Sequence, residues 1–224
     1  MRTVLLAAPS YDGKAEVWHI AALNETTKLC LRNGIDLKVV YMAYDSLVQR
    51  ARNDIAKLVV EDSSIDDLFM VDCDVDWNPS DFLKLLNYDV DIVGGAYPKK
   101  SDRTAFPVKM SDPARYWQRD SLVEVEGLGA GFLRMSRRVI EAAWEASEEY
   151  HEPDKGTHSR LVFDVKIQNG ELWSEDTVFF KKIRSLGYTV WLDPDLNFGH
   201  TGIKRWQGNF DDYMLEHFGG TNGT

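Results

Sequence analysis

The sequence predicts an α/β fold, a mainly parallel central sheet with helices on both faces, in a single domain spanning residues 1–224. Three observations predict it. Short apolar runs alternate with helix-period patterns through the first 95 residues, which is the signature of strands joined by helical crossovers. A length of 224 residues suits one well-buried domain and is short for two. No internal repeat, linker or low-complexity tract divides the chain.

Residues 3–8 form a short apolar run ended by Pro9, which fits a buried parallel strand. A helical pattern over 15–32 stops at Asn33-Gly34, and 36–41 is the next strand. Ser46 is then expected to cap a helix whose apolar residues Leu47, Val48, Ala51, Ile55, Leu58 and Val59 repeat at 3.6. Residues 68–71 make a strand leading into Asp72, 79–86 a short helix, and 91–95 another strand. The stretch 97–120 is rich in Lys, Arg, Asp and Pro and reads as a loop excursion with one strand at 104–109. Strands at 122–126 and 132–135 flank the small-residue turn 127–131. A helix follows over 137–148, and the polar segment 149–160 is expected to be a mobile loop. Ser174 caps a helix that ends at Leu186-Gly187, 189–192 is a last central strand, and 197–206 returns toward the sheet.

Composition narrows the function. The net charge of −10, from 26 Lys and Arg against 36 Asp and Glu, argues against affinity built mainly on nucleic-acid phosphates. Cys30 and Cys73 suggest no disulfide framework and read as thiols in a reducing compartment. No run approaches the ~20 apolar residues of a membrane span. The apolar start is too short for a signal peptide and leads directly into Tyr11-Asp12-Gly13-Lys14, so a cytoplasmic location is expected.

Chemistry concentrates where the 68–71 strand meets Asp72-Cys73-Asp74. Acids at the carboxyl end of a parallel strand lie where open α/β sheets bind ligands. Residues i and i+2 of an extended chain point the same way, so Asp72 and Asp74 can converge on one cation. The plainer alternative is an acidic turn with Asp76 or Asn78 capping the next helix. Arg52 lies on the apolar side of its helix and needs a partner, either an acid such as Asp72 or a donor phosphate.

An apolar strand followed by Asp-x-Asp resembles the signature of GT-A glycosyltransferases, and the resemblance continues downstream in order. The turn Gly127-Leu128-Gly129-Ala130-Gly131 is similar to the one beside donor or acceptor in that family, which implicates Gly129 and Gly131. Trp173-Ser174-Glu175-Asp176 resembles the start of the family's Glu-Asp helix, which implies Asp176, with Glu175 as fallback, as the base of an inverting reaction. Both acids could equally serve the positive end of the helix dipole. Phe198-Gly199-His200-Thr201-Gly202 resembles the segment that supplies a His metal ligand. The compact size and Arg50-Ala51-Arg52-Asn53 resemble small viral and phage members, whose setting would be the host cytoplasm.

The resemblance implies a GT-A-like, Rossmann-like fold and transfer from a nucleotide-diphosphate sugar, UDP- or GDP-linked, to an acceptor hydroxyl. It implies a nucleotide-binding half over about 1–95 and an acceptor half over about 96–224. Mn²⁺ or Mg²⁺ would be held by Asp74, Asp72 and His200, the His favouring Mn²⁺. The donor would meet Pro9, Tyr11, Asp12, Arg52, Asp72, Asp74 and Lys204. Tyr11-Asp12 is also an ordinary turn, and Lys204 an ordinary surface lysine. Tyr116 and Trp117, among the basic residues of 97–120, are expected to contact an acceptor, a glycan in preference to DNA. Two rival readings are a haloacid-dehalogenase-like phosphatase and a sugar-binding protein without turnover.

Overall fold

Alternate residues of the first strand serve two separate cores. In β1 (Arg2–Ser10), Val4 and Leu6 pack to one side while Leu5 and Ala7 pack to the other. Phe69/Val71 and Leu68/Met70 of β3 (Asp67–Val71) divide in the same way. A strand buried on both faces needs apolar residues at every position, which is why these segments read as unbroken apolar runs. The computed structural model describes residues 1–110, 112, 116 and 121–219.

Eight strands form the central sheet. To those above it adds β2 (Ile35–Ala43), β5 (Ile92–Gly95), β6 (Val108–Met110), β7 (Val123–Leu128), β8 (Phe132–Ser136) and β13 (Val190–Asp193). The order is β2-β1-β3-β8-β5-β13-β7-β6. Six strands run one way; β8 and β7 run against them, each pairing antiparallel with both neighbours. The sheet is thus mainly parallel, as expected, with two reversed strands that the sequence did not reveal.

Helices cover both faces. On one lie α1 (Val17–Arg32) and α3 (Pro79–Asn87), contributing Leu23, Cys30, Phe82 and Leu85 to the core. On the other lie α2 (Val48–Glu61), α4 (Arg137–Glu145), α5 (Glu175–Ser185) and α6 (Phe210–Phe218), through Ile55, Ile140, Phe179 and Met214. Among the described residues no helix is long and apolar enough to cross a membrane.

Several local expectations are corrected. Leu47, not Ser46, holds the N-cap position of α2, and no side chain caps it. The segment expected as a mobile loop is a hairpin of β9 (Glu149–Glu152) and β10 (Thr157–Arg160), and a second hairpin, β11 (Lys166–Gln168) with β12 (Glu171–Trp173), precedes α5. Residues 197–206 do not rejoin the central sheet. They form β14 (Asn197–Thr201) and the start of β15 (Arg205–Asn209), which with β4 (Val75–Trp77) make a separate three-stranded antiparallel sheet. This small sheet positions the site.

Candidate functional site

The carboxyl ends of β1, β2, β3 and β5 lie along one edge, and the groups with chemistry collect there. Asp72 follows β3 directly, and its N–H donates to the Gly131 carbonyl at 3.0 Å. Gly131 precedes β8, whose Phe132 is in register with Val71. A Cβ on Gly131 would lie 2.5 Å from Asp72 Oδ2 and 2.7 Å from Tyr97 Oη, and one on Gly129 would lie 2.4 Å from the same hydroxyl. The two glycines expected at an acceptor site therefore have a structural reason to be glycine: they let Tyr97 and Asp72 close onto the turn. Tyr97 Oη accepts a hydrogen bond from the Gly131 N–H at 3.2 Å, and burial pushes its phenol well above the ordinary range.

Arg52 ties this cluster to α5. Arg52 is 3% exposed, and its guanidinium donates from Nη2 to Asp72 Oδ1 at 2.9 Å and from Nη1 to Glu175 Oε1. Burial opposes its charge, yet the Asp72 and Glu175 carboxylates outweigh that and its pKa is raised. Arg52 thus takes the internal salt bridge that the sequence left open. Arg50, on the polar side, is bidentate to Asp45 at 2.7 and 2.8 Å. Asp176, one residue beyond Glu175, accepts from Ser174 Oγ and from the Thr177 N–H at Oδ1. Its second oxygen has no hydrogen bond among the described residues.

Asp74 faces a different set of partners. The pairing of β4 with β14 puts His200 in register with Val75, and the Thr201 N–H donates to the Asp74 carbonyl at 2.8 Å. His200 Nδ1 lies 2.8 Å from the Pro98 carbonyl, which can only accept, so Nδ1 carries the proton. In the neutral ring Nε2 then offers a lone pair, and it faces Asp74 Oδ1 at 3.4 Å. That oxygen is buried and has no hydrogen-bond partner. Lys100 donates to the other oxygen, Oδ2. Burial works against the Asp74 carboxylate, but Lys100, together with His200 when its ring carries a second proton, outweighs it and holds its pKa below the usual value.

With Nε2 bare, that nitrogen and the Asp74 carboxylate oxygen repel, and either a second proton on the ring or a cation between them removes the repulsion. One N and one O donor suit Mn²⁺ better than Mg²⁺. Asp72, turned to Arg52, is not gathered with them. Among the described residues no group of three or more His, Cys, Asp or Glu is spaced to hold a metal ion.

The other expected residues scatter. Tyr11 is 74% exposed beyond β1, and Asp12 is bound to Lys14 at 2.9 Å. Pro9 lies within β1, in register with Met42. Lys204 is paired with Asp102 at the tip of the β14–β15 hairpin. Tyr116 is fully buried, its ring edge-on to Phe210 and its hydroxyl donating to Asp211, so packing and not acceptor contact accounts for it. Trp117 lies outside the described residues. Asn78 caps α3 by accepting from the Ser80 N–H, and Asp76 is instead bidentate to Arg205 at 2.6 and 3.0 Å. Tyr97 and the Lys100–Asp74 contact were missed. Tyr97 stands two residues past the β5 strand, at the same carboxyl edge that drew attention to Asp72, and that rule could have found it.

No protein-family model matches the sequence, and no curated protein matches it. Solved structures do. A197 from STIV has a TM-score of 0.58 at 21% identity, covering 94% of this chain and 91% of that one. The catalytic domain of Drosophila β1,4-galactosyltransferase 7, solved in complex with xylobiose, has a TM-score of 0.50 at 16% identity, covering 86% of this chain and 65% of that one. At these identities the likeness bears on fold alone, and the fold of this chain is GT-A-like.

Proposed function

We propose that this chain transfers a sugar from a UDP- or GDP-linked donor to a hydroxyl of a saccharide acceptor, with a divalent cation at Asp74 and His200. The observation that carries the reading is the Asp74–His200 pair: an orphaned, buried carboxylate oxygen facing an imidazole nitrogen whose tautomer is fixed by the Pro98 carbonyl. Its setting supports the reading, since the pair lies at the carboxyl edge of a sheet of the same fold as a β1,4-galactosyltransferase crystallised with a disaccharide.

Mn²⁺ or Mg²⁺ bound there would neutralise charge building on the departing diphosphate. Asp176 is assigned the acceptor proton, through the oxygen that Ser174 and Thr177 leave free. The acceptor oxygen bonds to the anomeric carbon, the bond from that carbon to the diphosphate breaks, the proton passes to Asp176, and the nucleoside diphosphate leaves. In a single displacement of this kind the anomeric centre inverts. Arg52 holds Glu175 and Asp72 in place through Nη1 and Nη2. Two free thiols agree with a cytoplasmic setting.

The test is release of nucleoside diphosphate from UDP- and GDP-sugars with Mn²⁺, with EDTA, and in the Asp74→Ala and Asp176→Asn variants. Activity lost with EDTA and in Asp74→Ala is expected. Asp176→Asn should lower kcat by ~10²–10⁴-fold with donor affinity nearly unchanged. Full turnover in metal-free protein would refute the assignment.

A further inference from the structure

Two cavities open beside the Arg52–Glu175 link, and they carry opposite charge. One, of about 840 Å³, lies between the β2–α2 connection and the β9–β10 hairpin and has five carboxylates against Arg50 and Lys155. The other, of about 630 Å³, lies between β6, β7 and α5 and reverses the balance: Lys99, Lys109, Lys181 and Arg184 against Glu126 and Asp176. In a chain with a net charge of −10, that second cavity is an exception.

Three of its four cations have no carboxylate partner among the described residues. Lys109 pairs with Glu126 at 2.9 Å, and Lys181 lies over the Trp173 ring at 3.3 Å from its centre. Arg184 and Lys99 make no side-chain ion pair among the described residues. The hydrogen bond from Lys109, with the charges of Lys109, Arg184 and Lys181 adding to it, holds the Glu126 carboxyl below its usual range. Asp176, on the wall, is the group assigned the acceptor proton.

Position argues for acceptor over donor. Asp176, assigned the acceptor proton, lines this cavity, whereas Asp74 and His200, assigned to the metal that meets the donor, do not.

We propose that this cavity binds the acceptor saccharide through an anionic substituent, a carboxylate or a phosphate ester, countered by Arg184, Lys181 and Lys99. The proposal rests on the transferase reading for the word acceptor, but the binding itself does not require turnover. Cations near an exposed mouth select by charge, and screening by salt should weaken them.

Binding is therefore measured without donor or metal, by ligand-observed NMR, for methyl β-glucuronide, methyl β-glucoside 6-phosphate and methyl β-glucoside. At least one anion should bind about tenfold tighter than the neutral glycoside. Which of the two does so identifies the substituent. The preference should fall in 0.5 M NaCl and disappear in the Arg184→Gln/Lys181→Gln double variant, whose side chains are both exposed, so that folding is spared. Equal binding of all three, no binding at all, an unchanged preference in the variant, or displacement of the anion by UDP would each overturn the proposal. Charge preference without donor turnover would instead remove the transferase reading and leave the anion site standing.

Discussion

Replacing Arg52 with Met removes a buried cation while keeping most of the side-chain volume. What remains is Asp72 and Glu175, whose side chains are 26% and 15% exposed, without the charge they were folded around. Breaking a buried pair from one side costs about 3–5 kcal/mol, and partial access of water to both acids puts this case at the low end, about 3 kcal/mol. For a chain of this size that corresponds to a fall in Tm of ~6–12 °C. Chemical denaturation of Arg52→Met, Glu175→Gln and the double variant separates the contributions. The double variant should be more stable than Arg52→Met alone, because neutralising Glu175 removes one of the two stranded charges. A loss below about 1 kcal/mol in Arg52→Met, or no recovery in the double variant, would show that Arg52 is not the counter-charge that holds α2 to α5.

Two further outcomes are expected. His19 is fully buried, its Nδ1 3.0 Å from the Val75 carbonyl and its Nε2 2.8 Å from Tyr41 Oη, and burial pushes its imidazole below the ordinary 6.5. The unfolded chain then takes up a proton that the folded chain refuses, so stability is full above about pH 6.5 and falls as pH drops below it, by at most about 1.4 kcal/mol per pH unit; denaturation midpoints between pH 5 and 7 should flatten in His19→Gln. Gly131→Ala should destabilise by about 1–3 kcal/mol, because the added methyl meets Asp72 Oδ2 at 2.5 Å and Tyr97 Oη at 2.7 Å, and unchanged thermal unfolding would mean that this turn gives way freely.

What the sequence made legible was local, and what it hid was long-range. β1 and β3 could be read because a strand buried on both faces shows itself as an apolar run wherever it occurs. The sheet edge could be read because Asp72 adjoins such a run. Nothing in residues 197–206 says that β14 will pair with β4 rather than with the central sheet, and that pairing alone brings His200 to Asp74 across 126 positions of sequence. Resemblance, not pattern, supplied His200. Alternation suggested that Asp72 and Asp74 would share a cation, but β3 ends at Val71 and a tight Val75 N–H to Asp72 carbonyl turn intervenes, so the extended geometry that the argument assumed is absent. Lys100 was read as one of several basic residues facing an acceptor; in the fold it is the counter-charge of Asp74.

This division of the two acids bears on how a cation would be held. Asp72 is already neutralised by Arg52, and Asp74 offers one free oxygen because Lys100 takes the other. His200 adds one neutral nitrogen. Two protein donors are few for Mn²⁺ or Mg²⁺, which prefer about six ligands and, for Mg²⁺, keep waters or bind phosphate oxygens where the protein supplies few. On the proposed reading the shortfall is matched by the donor, whose diphosphate brings both oxygen ligands and negative charge to the edge where Asp74 and His200 stand. A site built in this way would hold a metal–diphosphate pair better than a metal alone, since Asp74 and His200 would supply only two of the ligands. On that reading Lys100, which bonds the other Asp74 oxygen, would be the cation left to Asp74 when no donor is bound.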